Sequence, residues 1–287
     1  MSGRLECRIA AVSFLNTIPL VDDLLRHPVP GVEIEFGMPS RLAGRLAEGR
    51  SDVALMPVVE LLRGRAAAVI AGTGIACRGA VDSVRLFHRG PCDRIRRVLT
   101  DRGSRSSVAL LEVLWRENFG YVPELVEGEP TIGARPEQGE GILVIGDRCF
   151  EFDRDLAARP DPEVADLDLG RAWWDLTGLP FVFAMWTVSA GFLERTGPAE
   201  RSALVALFSR AREAGLARLD ELAAREAARG RLGHGGEATP AAVAYYFRES
   251  LVYRLAEPEM AGLTRFHALC IEHGLVPDGP APIVLRG

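Results

Sequence analysis

The chain opens on a run of small and apolar residues, Cys7-Arg8-Ile9-Ala10-Ala11-Val12, which reads as a short buried strand. Ser13-Phe14-Leu15-Asn16-Thr17-Ile18-Pro19-Leu20 follows at once, and Pro19 suits the first turn of a helix running to about residue 25. Alternation in Val32-Glu33-Ile34-Glu35-Phe36 predicts a strand, and Leu42 and Leu46, four apart, predict a helix over 39–46. Residues 52–57 read as a strand, 58–62 as a short helix and 66–71 as a further apolar strand. Strands alternating with helices in this way make a parallel sheet with covering helices.

The pattern then changes. Gly72-Thr73-Gly74 follows a strand, but no helix starts there and the third glycine of a dinucleotide fingerprint is absent, so tight turns suit Gly72 and Gly74 better than a nucleotide. Residues 83–87 alternate as a strand, and 95–100 form another with charge on one side. Asp101-Arg102-Gly103-Ser104-Arg105-Ser106-Ser107 leads into a helix whose apolar face is Val108, Leu111, Leu114 and Trp115, stopped by Gly120. Residues 141–145 form a buried strand ending in Gly146-Asp147-Arg148.

Residues 166–177 read as a helix carrying Trp173-Trp174, and 181–188 as a strand buried on both faces. A long helical stretch (198–229), a glycine-rich loop around His234, helices over 240–255 and 258–273, and an extended tail over 277–287 complete the chain. Strand 83–87 leaves the first unit, a second α/β unit follows, and strand 181–188 leads back. This wiring predicts two lobes, 1–85 with 186–287 as the first and 86–185 as an inserted second, with a ligand cleft between them.

Composition narrows the chemistry. The 287 residues are 48% hydrophobic and 25% charged with a net charge of −5, ordinary for a globular protein and without the basic, aromatic-laced stripe of a nucleic-acid binder. Every basic residue among the 34 is Arg, which excludes a Schiff-base lysine and a P-loop lysine. Five scattered cysteines with no Cys-x-x-Cys fit a reduced, cytoplasmic setting. Met1-Ser2-Gly3-Arg4-Leu5-Glu6 has no signal-peptide pattern, and no apolar run approaches the length of a membrane span.

Two stretches offer donors to an anion. The junction at Ser13, Asn16 and Thr17 and the helix start at Ser104, Arg105, Ser106 and Ser107 both set small polar side chains around unpaired helical N–H groups. Each has a plainer reading as a helix cap. Three serines beside an arginine exceed what one cap requires, and Asn occurs only at Asn16 and Asn118. Gly146 and Asp147 close a strand at the end of a parallel unit, where ligands commonly sit, although Asp147 could instead pair with Arg148 or cap a turn.

With these residues in view, the sequence resembles the chorismate dehydratase family of the futalosine route to menaquinone. The resemblance spans nearly the whole chain. It rests on Val12-Ser13-Phe14-Leu15-Asn16-Thr17-Ile18-Pro19-Leu20, on Asp52-Val53-Ala54-Leu55-Met56-Pro57-Val58-Val59-Glu60, on Gly74-Ile75-Ala76 through Ser83-Val84, and on the serine-rich segment. It continues in Leu143-Val144-Ile145-Gly146-Asp147-Arg148 and Trp174-Asp175-Leu176-Thr177-Gly178-Leu179-Pro180-Phe181-Val182-Phe183-Ala184. The family pattern usually has Tyr where Phe14 stands, so no catalysis rests on that position.

The resemblance implies an α/β, two-lobed periplasmic-binding-protein type II-like fold with the ligand cleft between the lobes. It implies an enzyme that removes water from chorismate to give 3-[(1-carboxyvinyl)oxy]benzoate, with no metal or redox cofactor. His27, His88, His234, His267 and His273 show no metal-ligand spacing. Asn16 and Ser83 are assigned as catalytic, and Ser13, Thr17, Met56, Pro57, Ser104, Arg105, Ser106, Ser107, Gly146 and Asp147 as substrate contacts. Asp147, Glu60 and the substrate's own side-chain carboxylate are the candidate bases. The expected partner is a small dianion, with no nucleic acid or membrane, and the working form a monomer or homodimer. Two alternatives share the fold: the sister enzyme 1,4-dihydroxy-6-naphthoate synthase, whose relatives use a His near the Gly146 turn that this chain lacks, and a non-catalytic solute-binding protein.

Overall fold

Strand β1 (Cys7–Val12) seeds the first sheet, with Ile9, Ala10, Ala11 and Val12 buried as in a strand covered on both faces. In this computed structural model, which describes residues 5–37, 39–101, 103–279 and 283–286, a 3-10 turn (Leu15–Thr17) then leads into helix α1 (Ile18–Arg26). The expected features at Met1, Ser2, Gly3, Arg4, Arg102, Pro280, Ala281, Pro282 and Gly287 lie outside the described residues. Strand β2 (Val32–Gly37) pairs in parallel with one side of β1 and is an edge. Helix α2 (Pro39–Ala47) crosses to β3 (Val53–Pro57), parallel to β1 on its other side, and α3 (Val58–Leu62) leads to β4 (Ala68–Cys77).

β4 continues unbroken through Gly72 and Gly74, where the sequence predicts turns. Gly72 has a left-handed φ of 72° and kinks the strand while its carbonyl accepts from Arg212 and the Leu255 N–H. At Gly74 a Cβ would stand 2.5 Å from the Ala184 carbonyl oxygen. Gly74 thus serves close backbone approach inside a sheet and Gly72 a left-handed backbone, both common uses of glycine in a strand.

The next stretch builds a second sheet: β5 (Val84–Arg89), β6 (Arg97–Asp101), α4 (Ser106–Phe119), β7 (Glu124–Gly128), β8 (Glu140–Ile145), α5 (Arg148–Ala158), β9 (Val164–Asp168) and α6 (Leu169–Thr177). Its strand order is β7-β6-β8-β5-β9, with β6 parallel to β7 and β8, and β5 antiparallel to β8 and β9. Phe87, Ile142, Val144, Cys149 and Phe152 form its core, the Phe87 and Phe152 rings stacked at 4.9 Å. The helix expected from residue 166 starts only at Leu169. Asp168 ends β9 and caps α6 by accepting from the Arg171 N–H at 2.9 Å.

Strand β10 (Phe181–Val188) pairs antiparallel with β3, so the first sheet is mixed rather than purely parallel. Then come α7 (Ala190–Arg195), α8 (Pro198–Leu216), α9 (Leu219–Ala228), α10 (Pro240–Tyr245), a π-helical turn (Tyr246–Ser250), β11 (Val252–Arg254), α11 (Glu257–Glu272) and β12 (Ile283–Leu285). The first sheet runs β11-β4-β10-β3-β1-β2, with β12 parallel to β4 over Ala68, Val69 and Ile70. Gly215 of α8 lies so close to α1 that a Cβ would stand 1.8 Å from the Pro19 carbonyl oxygen. The long helix expected over 198–229 breaks between Leu216 and Leu219, and the helix expected over 240–255 ends in the π turn and β11.

The chain divides into two units, Met1–Ala76 with Val182–Leu219 and Val252–Gly287, and Cys77–Phe181 with Asp220–Leu251. The expected division put all of 186–287 in the first unit and drew the crossings at 85 and 186. The observed crossings fall inside β4 and β10, and Asp220–Leu251 joins the second unit. Helical periodicity reports that a helix buries one face, and leaves open which sheet it buries that face against.

Candidate functional site

In the first unit, β1 and β3 end on the same side of the sheet, and the register Ala184↔Pro57 and Met185↔Met56 sets the start of β10 beside the end of β3. Ser13, Asn16 and Thr17 follow β1, and Met56 and Pro57 close β3, so the sheet brings these five to one end. Thr17 is buried, Asn16 half-buried and Ser13 exposed, while Met56 is wholly buried. Thr17 occupies the N-cap of α1, yet its side chain makes no capping bond; its hydroxyl donates to Asn16 Oδ1 at 3.3 Å. Capping by Asn16 or Thr17 is therefore not what these side chains do. Where the chain does cap, the bond is plain: Asp168 on α6, Ser189 to the Phe192 N–H at 3.1 Å, and Thr239 to the Ala242 N–H at 3.2 Å. Glu60 is ion-paired with Arg63 at 2.9 Å, with Arg65 at 3.9 Å.

In the second unit, the antiparallel setting of β5 against β8 and the parallel setting of β6 and β8 gather three turns at one end of the sheet: the one after β6, the one after β8 and the one entering β5. The turn after β6 is shaped by Asp101. Its carboxylate accepts from the Gly103 N–H at 2.8 Å and from Arg148 at 3.0 Å, and its carbonyl accepts from the Ser104 N–H. The N-cap of α4 is Arg105, which is exposed and whose side chain has no acceptor to offer. Ser104, Ser106 and Ser107 are buried around that helix start. Ser104 is only 5% exposed, and its hydroxyl has no hydrogen-bond partner among the described residues. This buried hydroxyl thus stands at a helix start whose N-cap side chain makes no capping bond.

The turn after β8 rests on Gly146, whose φ of 64° is left-handed and whose N–H donates to the Ser83 carbonyl at 2.8 Å. Asp147 is half-buried and pairs with Arg231 at 2.7 Å, not with Arg148, which is turned to Asp101. The turn entering β5 is the most constrained of the three. Asp82 has a φ of 62° and is the one non-glycine with a positive φ among the described residues. The Asp168 carboxylate accepts from the Val81 N–H at 3.0 Å and the Asp82 N–H at 2.7 Å, and burial raises that carboxyl above its ordinary range despite these donors. The Asp82 carboxylate in turn accepts from Ser250 Oγ at 2.6 Å and meets His234 Nδ1 at 2.9 Å. Ser83, 1% exposed, accepts through Oγ from the Tyr246 hydroxyl at 2.8 Å.

The sheet brings the sequence-predicted Ser83, Gly146, Asp147 and serine-rich turn to one end, held by Asp82, Arg231, His234, Tyr246 and Ser250, which the sequence did not single out. The available signal was slight: Tyr246 and Ser250, four apart in an apolar helical pattern, with His234 in a glycine-rich loop. Asn16 and Ser83 belong to different units. Among the described residues, no group of three or more His, Cys, Asp or Glu side chains is placed to hold a metal ion.

A family model described as menaquinone biosynthesis matches residues 7–272. The chain belongs to the menaquinone biosynthesis family. The chain is also similar to the chorismate dehydratase of Thermus thermophilus, 31% identical over 264 residues, covering 88% of this chain and 91% of that protein. Solved structures share the fold at lower identity. The alkanesulfonate-binding protein SsuA from Xanthomonas axonopodis pv. citri bound to MOPS superposes with a TM-score of 0.64 at 15% identity, all of both chains covered. The periplasmic aliphatic sulphonate binding protein SsuA from Escherichia coli gives 0.59 at 16%, with 99% of this chain and 95% of that one covered. The family fold is thus the periplasmic-binding-protein type, here built as two α/β units, in agreement with the resemblance read from sequence. No helix among the described residues is long and apolar enough to cross a membrane.

Proposed function

We propose that this chain is a hydro-lyase that converts chorismate to 3-[(1-carboxyvinyl)oxy]benzoate and water in menaquinone biosynthesis. Its kinship with chorismate dehydratase over most of both chains supports this reading. The structural observation that carries it is the start of α4, where the Ser104 hydroxyl is buried and unpartnered and the N-cap Arg105 makes no side-chain capping bond. Such a place takes a carboxylate oxygen. Chorismate is a dianion with two carboxylates to offer.

The chemistry needs one proton removed and one hydroxyl expelled. The ring C–H beside the enolpyruvyl ether is acidified through the double bond conjugated to the ring carboxylate. Its removal spreads negative charge onto that carboxylate, and loss of the neighbouring hydroxyl with a proton, as water, gives the aromatic ring. Neutral donors stabilise such growing charge without titrating. Asn16 and Ser83 are the catalytic donors in this reading. Ser13, Thr17, Met56, Pro57, Ser104, Arg105, Ser106, Ser107, Gly146 and Asp147 are substrate contacts. Both protein carboxylates that could act as base are held by arginines, Glu60 by Arg63 and Asp147 by Arg231. These ion pairs support a reading in which the side-chain carboxylate of the bound substrate is the base, an intramolecular arrangement that benefits from proximity. Five free cysteines suit a reducing, cytoplasmic setting, and the working form is a monomer or homodimer.

The test is to incubate the purified protein with chorismate and follow the substituted benzoate. Its formation with stoichiometric loss of chorismate is expected. Chorismate bound but unchanged would mark a binding protein, and turnover of a cyclic futalosine derivative alone would mark the sister enzyme.

A further inference from the structure

We infer that Tyr246 is a positioning residue for the dehydration, setting Ser83 as a hydrogen-bond donor through the contact between its hydroxyl and Ser83 Oγ. The inference rests on the dehydratase reading and adds a residue to it. A serine that accepts from a phenol keeps its own proton for another acceptor. The bond from Tyr246, 2.8 Å long and buried, also polarises the Ser83 hydroxyl, because hydrogen bonds in series strengthen one another. Ser83 is thereby readied to donate to a substrate oxygen on which negative charge grows.

The surroundings are built to hold this bond. Tyr246 begins the π-helical turn Tyr246–Ser250, a rare geometry that tends to occur at functional sites. The turn grips two adjacent residues at once, Ser83 through Tyr246 and Asp82 through Ser250. The Tyr246 ring is packed edge-on against Phe150 at 4.8 Å. Asp82 sits in a strained left-handed conformation that persists because Asp168 holds its N–H while Ser250 and His234 hold its carboxylate. Such strain persists only where the surrounding structure over-determines it, and it clusters at functional sites. Four groups remote in sequence thus converge on one dipeptide whose second member is Ser83.

The experiment is a double-mutant cycle on the full chain with chorismate as substrate. Tyr246→Phe removes only the hydroxyl and is expected to lower kcat about tenfold while KM moves less than about threefold. In a Ser83→Ala background the same substitution is expected to change kcat by less than about twofold, because its target is gone. A kcat within about twofold of wild type for Tyr246→Phe, or effects that multiply in the double mutant, overturns the inference. Should Tyr246→Phe not accumulate as folded protein, Ser250→Ala serves in its place. It loosens the same turn, and a loss of about threefold in kcat that vanishes in the Ser83→Ala background is expected; an unchanged kcat refutes the positioning role. Wild-type protein that leaves chorismate untouched overturns the dehydratase reading and this inference with it. Wild-type turnover with an indifferent Tyr246→Phe overturns this inference alone.

Discussion

The candidate residues of the two units are held by different means. In the first unit, Ser13, Asn16 and Thr17 lie within five consecutive residues and are fixed by backbone packing: a 3-10 turn, the Thr17 N–H bonded to the Phe14 carbonyl at 3.1 Å, and α8 pressed onto Pro19 at Gly215. In the second unit, Ser83, the 104–107 turn, Gly146 and Asp147 come from three separate turns and are tied by side-chain bonds from Asp101, Arg148, Asp168, Arg231, Tyr246 and Ser250. Steric substitutions should therefore injure the first arrangement most, and conservative polar ones the second. A contiguous site tolerates loss of distant polar partners, whereas one assembled by side-chain bonds does not.

The largest effect tests whether both arrangements feed one reaction. Asn16→Ala and Ser83→Ala are each expected to lower kcat by about 10²-fold or more, the size of losing one preorganised donor to a growing anion. Steady-state consumption of chorismate measures this. Full activity in either variant would remove that residue from the catalytic set.

Next comes a purely steric change in the first unit. Gly215→Ala puts a methyl group into the Pro19 carbonyl, where backbone must yield. A loss of about 3 kcal/mol in stability is expected, near the top of the range for overpacking. Urea denaturation read by circular dichroism gives the figure. A change under about 0.5 kcal/mol would show that α1 and α8 separate easily, and that the first arrangement is not held by backbone packing.

Ser104→Ala separates binding from folding. The hydroxyl has no partner among the described residues, so removing it should leave thermal stability unchanged or slightly higher. Because a hydrogen bond to a charged group contributes about 1.5–3 kcal/mol, binding of chorismate should weaken at least about tenfold, visible as a raised KM. A fall in stability with KM unchanged would mean that Ser104 serves the fold.

The smallest effects are expected for Asp147→Asn and Glu60→Gln, since both carboxylates are occupied by arginines. Each should keep kcat within about fivefold of wild type. A loss of roughly 10²-fold with binding retained would instead name a protein base and displace the substrate carboxylate from that role.

Pattern alone determined much of this molecule. Alternation and apolar runs placed β1, β2, β3, β8 and β10 to within a residue or two, and Gly120 and Gly178 stop α4 and α6 in the left-handed conformation that glycine permits. The strand-to-helix junction at Asn16 was legible for the same reason, since everything that defines it is local. What pattern misjudged had a common cause. Gly72 and Gly74 read as turns because sequence does not show Arg212 and Leu255 on the Gly72 carbonyl or the Ala184 carbonyl that presses on Gly74. Residues 166–168 read as helix because their pairing partner, β5, lies some eighty residues earlier. Residues 220–251 were expected with the first unit but cluster with the second, and with them come the hydroxyl on Ser83 and the two groups on the Asp82 carboxylate. Sequence by itself decides which residues bury a face or start a helix, because those are properties of a few neighbours. Which face meets which, and so which tyrosine bonds to which serine 163 positions away, is decided only when the chain closes on itself.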